Sequence, residues 1–203
     1  MSTEDDLPRD LARAYSGTPE HLAALRDRLA AAAQADGILD VAYRTIDSPL
    51  GSLLLAGTEA GLVRVAYATE DHDAVLQALS DRISPRVLHA PERLDATARQ
   101  LAEYFAGRRR GFDLPLDWRL SEGFRSTVLH QLPQIGYGHT ASYAAVARLV
   151  GNPKAVRAVG SACATNPLPL IVPCHRVVRS DGGIGGYIGG VEAKRILLTL
   201  EAV

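Results

Sequence analysis

The sequence predicts an α+β protein in two parts: a small antiparallel sheet with helices, then a mainly helical unit carrying a helix-turn-helix. Three observations lead there. Short apolar, β-rich runs divided by turn residues fill positions 41–67. Apolar residues at helical spacing flank them, and near residues 117–122 the texture changes to short helices and Gly- and Pro-rich loops. A chain of 203 residues is long enough for one large domain or two small ones, each with its own core.

Taken in order, Leu22, Leu25 and Leu29 keep helical spacing in an alanine-rich stretch, which reads as a packing or capping helix within a leader of residues 1–39. Residues 41–46, 52–56 and 62–67 form a meander, split by Pro49-Leu50-Gly51 and Glu59-Ala60-Gly61. Residues 73–79 and 94–105 read as helices, the second stopped at Gly107. The Arg108-Arg109-Arg110 run beyond it suits a solvated cap on the helix dipole better than a phosphate patch. The first domain is thus 40–117 and the second 121–203. In the second, residues 124–132, 142–150 and 154–163 are short helices, the middle one ended by Gly151-Asn152-Pro153. On spacing alone the last pair is equally a helical hairpin or a helix-turn-helix. Lys154 and Arg157, one turn apart on one face with Val156 and Val159 on the other, favour the second.

No apolar run approaches the ~20 residues of a membrane-spanning helix, and the acidic start is unlike a signal peptide. The expected location is therefore cytoplasmic, with no membrane partner. Two cysteines, Cys163 and Cys174, are too few for a disulfide framework. The ten residues between them do not fit a structural zinc site, so no metal is expected. The net charge of −1 conceals an asymmetry. From Ser121 onward there are 8 Lys and Arg against 4 Asp and Glu, a charge of +4; the remainder holds 14 basic and 19 acidic residues, a charge of −5. A basic module carried by an acidic companion is a weak pointer to a polyanion.

Chemistry concentrates in Ile171-Val172-Pro173-Cys174-His175-Arg176-Val177-Val178. An inert buried cysteine is the default in an apolar run. Here His175 and Arg176 follow at once, and an adjacent base or cation is what makes a thiolate at neutral pH. In a strand, neighbours point opposite ways, so His175 serves the Cys174 sulfur only if the backbone turns there.

Further motifs run collinear with this one. They are Tyr137-Gly138 followed by Thr140-Ala141-Ser142-Tyr143; Asn152-Pro153-Lys154-Ala155-Val156-Arg157-Ala158-Val159-Gly160; Asn166-Pro167; Gly186-Tyr187 with Gly189-Gly190; and Leu197-Leu198 before Glu201. Together they resemble the active domain of the O6-alkylguanine-DNA alkyltransferases. The stretch 41–117 is more loosely similar to that family's ribonuclease-H-like amino-terminal domain, chiefly through Asp47-Ser48-Pro49-Leu50-Gly51. The resemblance implies a winged-helix-like second domain and direct-reversal DNA repair. An alkyl group would move once, irreversibly and without a cofactor, from O6-alkylguanine (and O4-alkylthymine) in double-stranded DNA to Cys174. It implies a Glu201–His175–water–Cys174 relay, with Asn166 supporting the active-site backbone. Residues 154–163 become a recognition helix in the minor groove. There Arg157 fills the gap left by a flipped base, Tyr143 lies at the extruded nucleotide, and Ser142, Lys154 and Ala155 lie against DNA. Tyr187, Ile188, Val177, Pro169 and Gly186 would line the lesion pocket, and zinc is not expected because the first domain has no cysteine.

Departures from the family pattern include Arg125, Leu129, Gly136 and His139, which are expected to alter packing or surface charge only. Ile188 stands where a small or polar residue is common and is expected to narrow or grease the pocket and so change the preference between methyl and bulkier alkyl groups. The rival readings are a non-repairing lesion sensor or regulator, and a Cys–His hydrolase. Sensors of that kind lack the acceptor cysteine, and a hydrolase leaves the helix-turn-helix unexplained. With no coiled-coil seam the expected state is a monomer, cooperative assembly on DNA being left open.

Overall fold

The structure, a computed structural model, describes residues 18–202; the first 17 residues of the predicted leader lie outside these. Helix α1 (Pro19–Ala35) starts from Thr18, whose hydroxyl accepts the His21 N–H, with proline at the first helical position. Its buried residues are Ala30 and Ala33, packed with Leu39, Ala42 and Ala90. Leu22, Leu25 and Leu29 instead face solvent. Their spacing marked a helix correctly but not the face it buries, because alanine allows the closer approach to the sheet.

Strands β1 (Val41–Ile46), β2 (Leu53–Thr58) and β3 (Gly61–Tyr67) form the expected antiparallel meander. A fourth strand, β4 (Val87–His89), joins β1 in parallel, so the order is β3-β2-β1-β4 and the sheet is mixed rather than antiparallel. Three residues between Pro85 and Pro91 are too few to show a period. All of β2 is buried because both sheet faces are covered. Leu54, Ala56, Val63 and Ala66 pack on Val75 and Leu79 of α2 (His72–Arg82). Leu53, Leu55, Val65 and Tyr67 face Leu101 and Tyr104 of α3 (Asp95–Phe105), in a core that continues into the second domain. Arg109 closes on the Glu103 carboxylate and the Gly111 carbonyl, an ion pair beside the helix end and not a cap on its last carbonyls.

In the second domain α4 (Gly123–Gln131), α5 (Tyr143–Leu149) and α6 (Val156–Ala164) pack through Val128, Leu129, Val146, Ala147, Val159 and Cys163. The last helix begins two residues later than expected. Lys154 therefore sits in the turn ahead of it, and the single basic helix face it was to share with Arg157 does not form. A two-stranded parallel pair, β5 (Ala141–Ser142) with β6 (Val177–Val178), ties the start of α5 to the segment after Cys174. Helix α7 (Gly190–Glu201) closes the chain. No helix is long and apolar enough to cross a membrane among the described residues.

Candidate active site

A tight loop brings Asn166 to Cys174. The wholly buried Asn166 accepts the Leu168 N–H at 3.0 Å, and its amide donates to the Val172 carbonyl at 2.9 Å and to the Cys174 sulfur at 3.1 Å. Within the loop Leu170 takes φ +73°, a left-handed conformation costing a non-glycine residue on the order of 1–2 kcal/mol. The first domain braces it: the Val65 N–H donates to the Pro167 carbonyl at 2.9 Å, and Arg64 donates to the carbonyls of Asn166 and Pro167.

After Pro173 the chain makes one 3₁₀ turn, Cys174–Arg176, so the backbone does turn where the chemistry requires it, and all three side chains are buried. Glu201, two residues from the end of the sequence, is 2% exposed rather than frayed. Its carboxylate accepts from His175 Nε2 at 3.0 Å, from Arg176 Nε and Nη2 at 2.8 and 2.9 Å, and from the Tyr104 hydroxyl at 2.6 Å. Tyr137 bonds the Leu200 carbonyl at 3.0 Å and holds the helix end in place.

Burial by itself would raise the Glu201 carboxyl, but the bonds from His175 and Arg176 outweigh it and hold the group far below the usual carboxylate range. Burial lowers His175 against the pull of Glu201, whose charge Arg176 already compensates. The imidazole is therefore neutral at pH 7. Its bond to an ionised carboxylate assigns the proton to Nε2, and Nδ1 is left as a lone pair without a hydrogen-bond partner among the described residues. Burial pushes the Cys174 thiol up to about 11, opposed by the Asn166 bond and the Lys194 charge. Such a thiol needs a base in order to react. Cys163 is also pushed up by burial, with the Lys194 charge opposing the shift.

Sequence reasoning missed Lys194, which is wholly buried on α7. Its ammonium donates to the Val177 carbonyl at 2.6 Å and lies 5.9 Å over the Tyr143 ring. Burial lowers its pKa, and its charge favours thiolate at both cysteines. A signal was present, since Lys194, Leu197 and Glu201 share one helical stripe. Tyr67 and Tyr104 were missed as well, each lying far from the motifs in sequence.

The other expected site residues divide into two groups. Val177 and Pro169 are buried near the thiol segment, Tyr187 is half-buried with its ring centroid 6.3 Å from that of His175, and Gly186 is exposed. Ile188 lines a groove with Arg64, Thr165 and Pro167 at the domain junction. On the helix-turn-helix, Arg157 and Lys154 are exposed with no side-chain hydrogen bond or ion pair among the described residues, whereas Ser142 caps α5 by accepting the Ala145 N–H. Ala155 precedes α6, and Tyr143 is half-buried. No three His, Cys, Asp or Glu side chains cluster as a metal site requires among the described residues.

Fold and site define a class: proteins carrying a buried cysteine, next to an imidazole tied to a carboxylate, in a domain with a helix-turn-helix. Residues 41–118 match the model of the 6-O-methylguanine DNA methyltransferase ribonuclease-like domain, and residues 123–203 that of its DNA-binding domain. A methylated-DNA–protein-cysteine methyltransferase of Mycolicibacterium paratuberculosis is 38% identical over 79% of this chain and 92% of its own length. The constitutive one of Bacillus subtilis is 39% identical over 79% and 95%. The crystal structure of Mycobacterium tuberculosis OGT in complex with DNA superposes with a TM-score of 0.67 at 38% identity, covering 79% of this chain and 92% of that one. The chain belongs to the methylated-DNA–protein-cysteine methyltransferase family.

Proposed function

We propose that this chain repairs O6-alkylguanine, and O4-alkylthymine, in double-stranded DNA by moving the alkyl group once and irreversibly to Cys174. The observation that carries this reading is the Cys174 sulfur held 3.1 Å from the Asn166 amide, one residue before an imidazole whose Nε2 is tied to Glu201. With the thiol pushed up to about 11, roughly one molecule in ten thousand carries a thiolate at pH 7, so proton removal has to accompany attack.

Helix α6 enters the minor groove as the target nucleotide rotates out, a step costing a few kcal/mol and least for a damaged pair. Arg157 occupies the gap, its planar guanidinium stacking and hydrogen-bonding together. His175 Nδ1 takes the thiol proton through one water. Sulfur bonds to the alkyl carbon as the carbon–O6 bond breaks, the electron pair passes into the guanine ring, and the released guanine takes up a proton. The resulting thioether has no leaving group that the site can displace, so a monomer repairs one lesion and stops. No cofactor takes part, and the reaction belongs in the cytoplasm.

Incubation with excess O6-methylguanine duplex is expected to add one methyl group to the intact mass, mapped to Cys174, with no second transfer. Cys174→Ser should add none. An unchanged wild-type mass would favour the lesion-sensor reading instead. Arg157→Ala should lower repair of duplex DNA by about 10- to 100-fold, as loss of one stacking contact does, while leaving reaction with free O6-benzylguanine unchanged. Equal losses on both substrates would move Arg157 out of the DNA-binding role.

A further inference from the structure

We propose that Tyr67 of the first domain limits how bulky an alkyl group reaches Cys174, by clamping the 187–189 loop shut; this rests on the repair reading. Tyr67 ends β3 and is 2% exposed. Its phenol oxygen lies 2.8 Å from that of Tyr187, and the two rings meet edge to face with centroids 5.8 Å apart. Gly189 rests directly on the Tyr67 ring. A Cβ there would come within 2.7 Å of the ring carbons, so no other residue lets the loop lie so close. The Tyr187 ring in turn lies edge to face with the His175 imidazole, their centroids 6.3 Å apart.

Cys174 is only 1% exposed, so an incoming alkyl group reaches it only if a wall moves. Two of the walls are tied down. The Val177 carbonyl is bonded to Lys194, and the Asn166–Pro167 carbonyls are bonded to Arg64 and Val65 of β3. The 187–189 loop also borders the thiol, Tyr187 lying near enough for a charge on Cys174 to raise its phenol, and just before it the Gly186 carbonyl meets Lys194 at 3.4 Å. Gly185 and Gly190 flank it at φ +73° and +88°, and side-chain contact with Tyr67 at Tyr187 and Gly189 holds it closed. A methyl group needs little displacement of this loop. A benzyl group needs more, and the cost is breaking the phenol–phenol bond and lifting Gly189 from the ring. Tyr67 acts through Tyr187 and is a positioning residue.

The test is the ratio of single-turnover rates on O6-benzylguanine and O6-methylguanine duplexes, with duplex affinity and Tm measured alongside. Tyr67→Phe keeps the ring and removes the bond. The benzyl-to-methyl ratio should rise about five-fold, the shift that loss of one ordinary hydrogen bond allows, at unchanged duplex Kd. Because Tyr187→Phe removes the same bond from the other side, adding Tyr67→Phe to it should change the ratio no further. An unchanged ratio in Tyr67→Phe overturns the proposal, as does a fall of both rates in equal proportion with Tm. If the wild-type chain transfers neither group, the repair reading itself fails, and the clamp with it.

Discussion

Glu201→Gln is expected to slow alkyl transfer by about two to four orders of magnitude, the range associated with a positioned acid–base group. The carboxylate is a junction for His175, Arg176 and Tyr104. An amide no longer dictates which imidazole nitrogen carries the proton, and it leaves the buried Arg176 guanidinium without a counter-charge. Breaking a buried pair from one side costs about 3–5 kcal/mol, so Tm should fall together with the rate. Stability should also depend on pH in a defined sense. Both His175 and Glu201 are held below their ordinary values of 6.5 and 4.5, so the folded protein binds fewer protons than the unfolded chain. The His175 contribution is complete above pH 6.5 and is lost as pH falls below it. The Glu201 contribution is present above pH 4.5 and is lost as pH falls toward its depressed native value. Thermal unfolding from pH 8 to pH 2 should show Tm declining through two limbs, the lower one, below pH 4.5, weakened in Glu201→Gln. A Tm independent of pH across that range would contradict the burial of both groups.

Asn166→Asp is expected to reduce transfer by about 10²- to 10³-fold, comparable to removing one preorganised donor from a developing anion. The native amide donates to the Val172 carbonyl and to sulfur. A carboxylate has no proton for either and sets a negative charge beside the thiolate that must form. Asn166→Ala separates the two roles. It removes the sulfur's donor without adding charge, and it leaves the Leu168 N–H and Val172 carbonyl unpaired at about 1–3 kcal/mol each. The pH dependence of thiol alkylation by a small electrophile measures the first role, its midpoint moving above that of the wild type because the donor that lowers the thiol is gone. Chemical denaturation measures the second. Should Asn166→Ala alkylate with the wild-type pH dependence, the amide does not act on the reacting sulfur.

Tyr104 and Tyr67 show why part of this site was invisible in the chain. Both belong to the first domain, far in sequence from the motifs around Cys174, and as sequence each is an ordinary aromatic of a helix or strand core. Their hydroxyls acquire meaning only when α3 and β3 pack on the second domain and bring them to Glu201 and Tyr187. Lys194 was obscured differently, since a lysine in a helix defaults to solvent until its stripe is seen to be the buried one. The leucines of α1 failed in the opposite sense, because periodicity names a face and not its partner. Lys154 was displaced because a helix start is set by local backbone geometry after Pro153, which spacing does not resolve.

By itself, the sequence determined the α+β plan, the meander, the helix-turn-helix, and the reactive candidates Cys174, His175, Asn166 and Glu201. The elements and the Cys174–His175 pair are written in local periodicity and one contiguous motif, where neighbouring residues carry the information; Asn166 and Glu201 entered only through the family resemblance, since alone they read as an Asx turn and a solvated terminal residue. Only the tertiary structure decided that the backbone turns at Cys174, that Arg176 compensates Glu201 and leaves His175 neutral, and that the thiol is held up at about 11. Those properties arise from burial and from partners distant in the chain, and the energy of a charge or proton depends on what surrounds it in space.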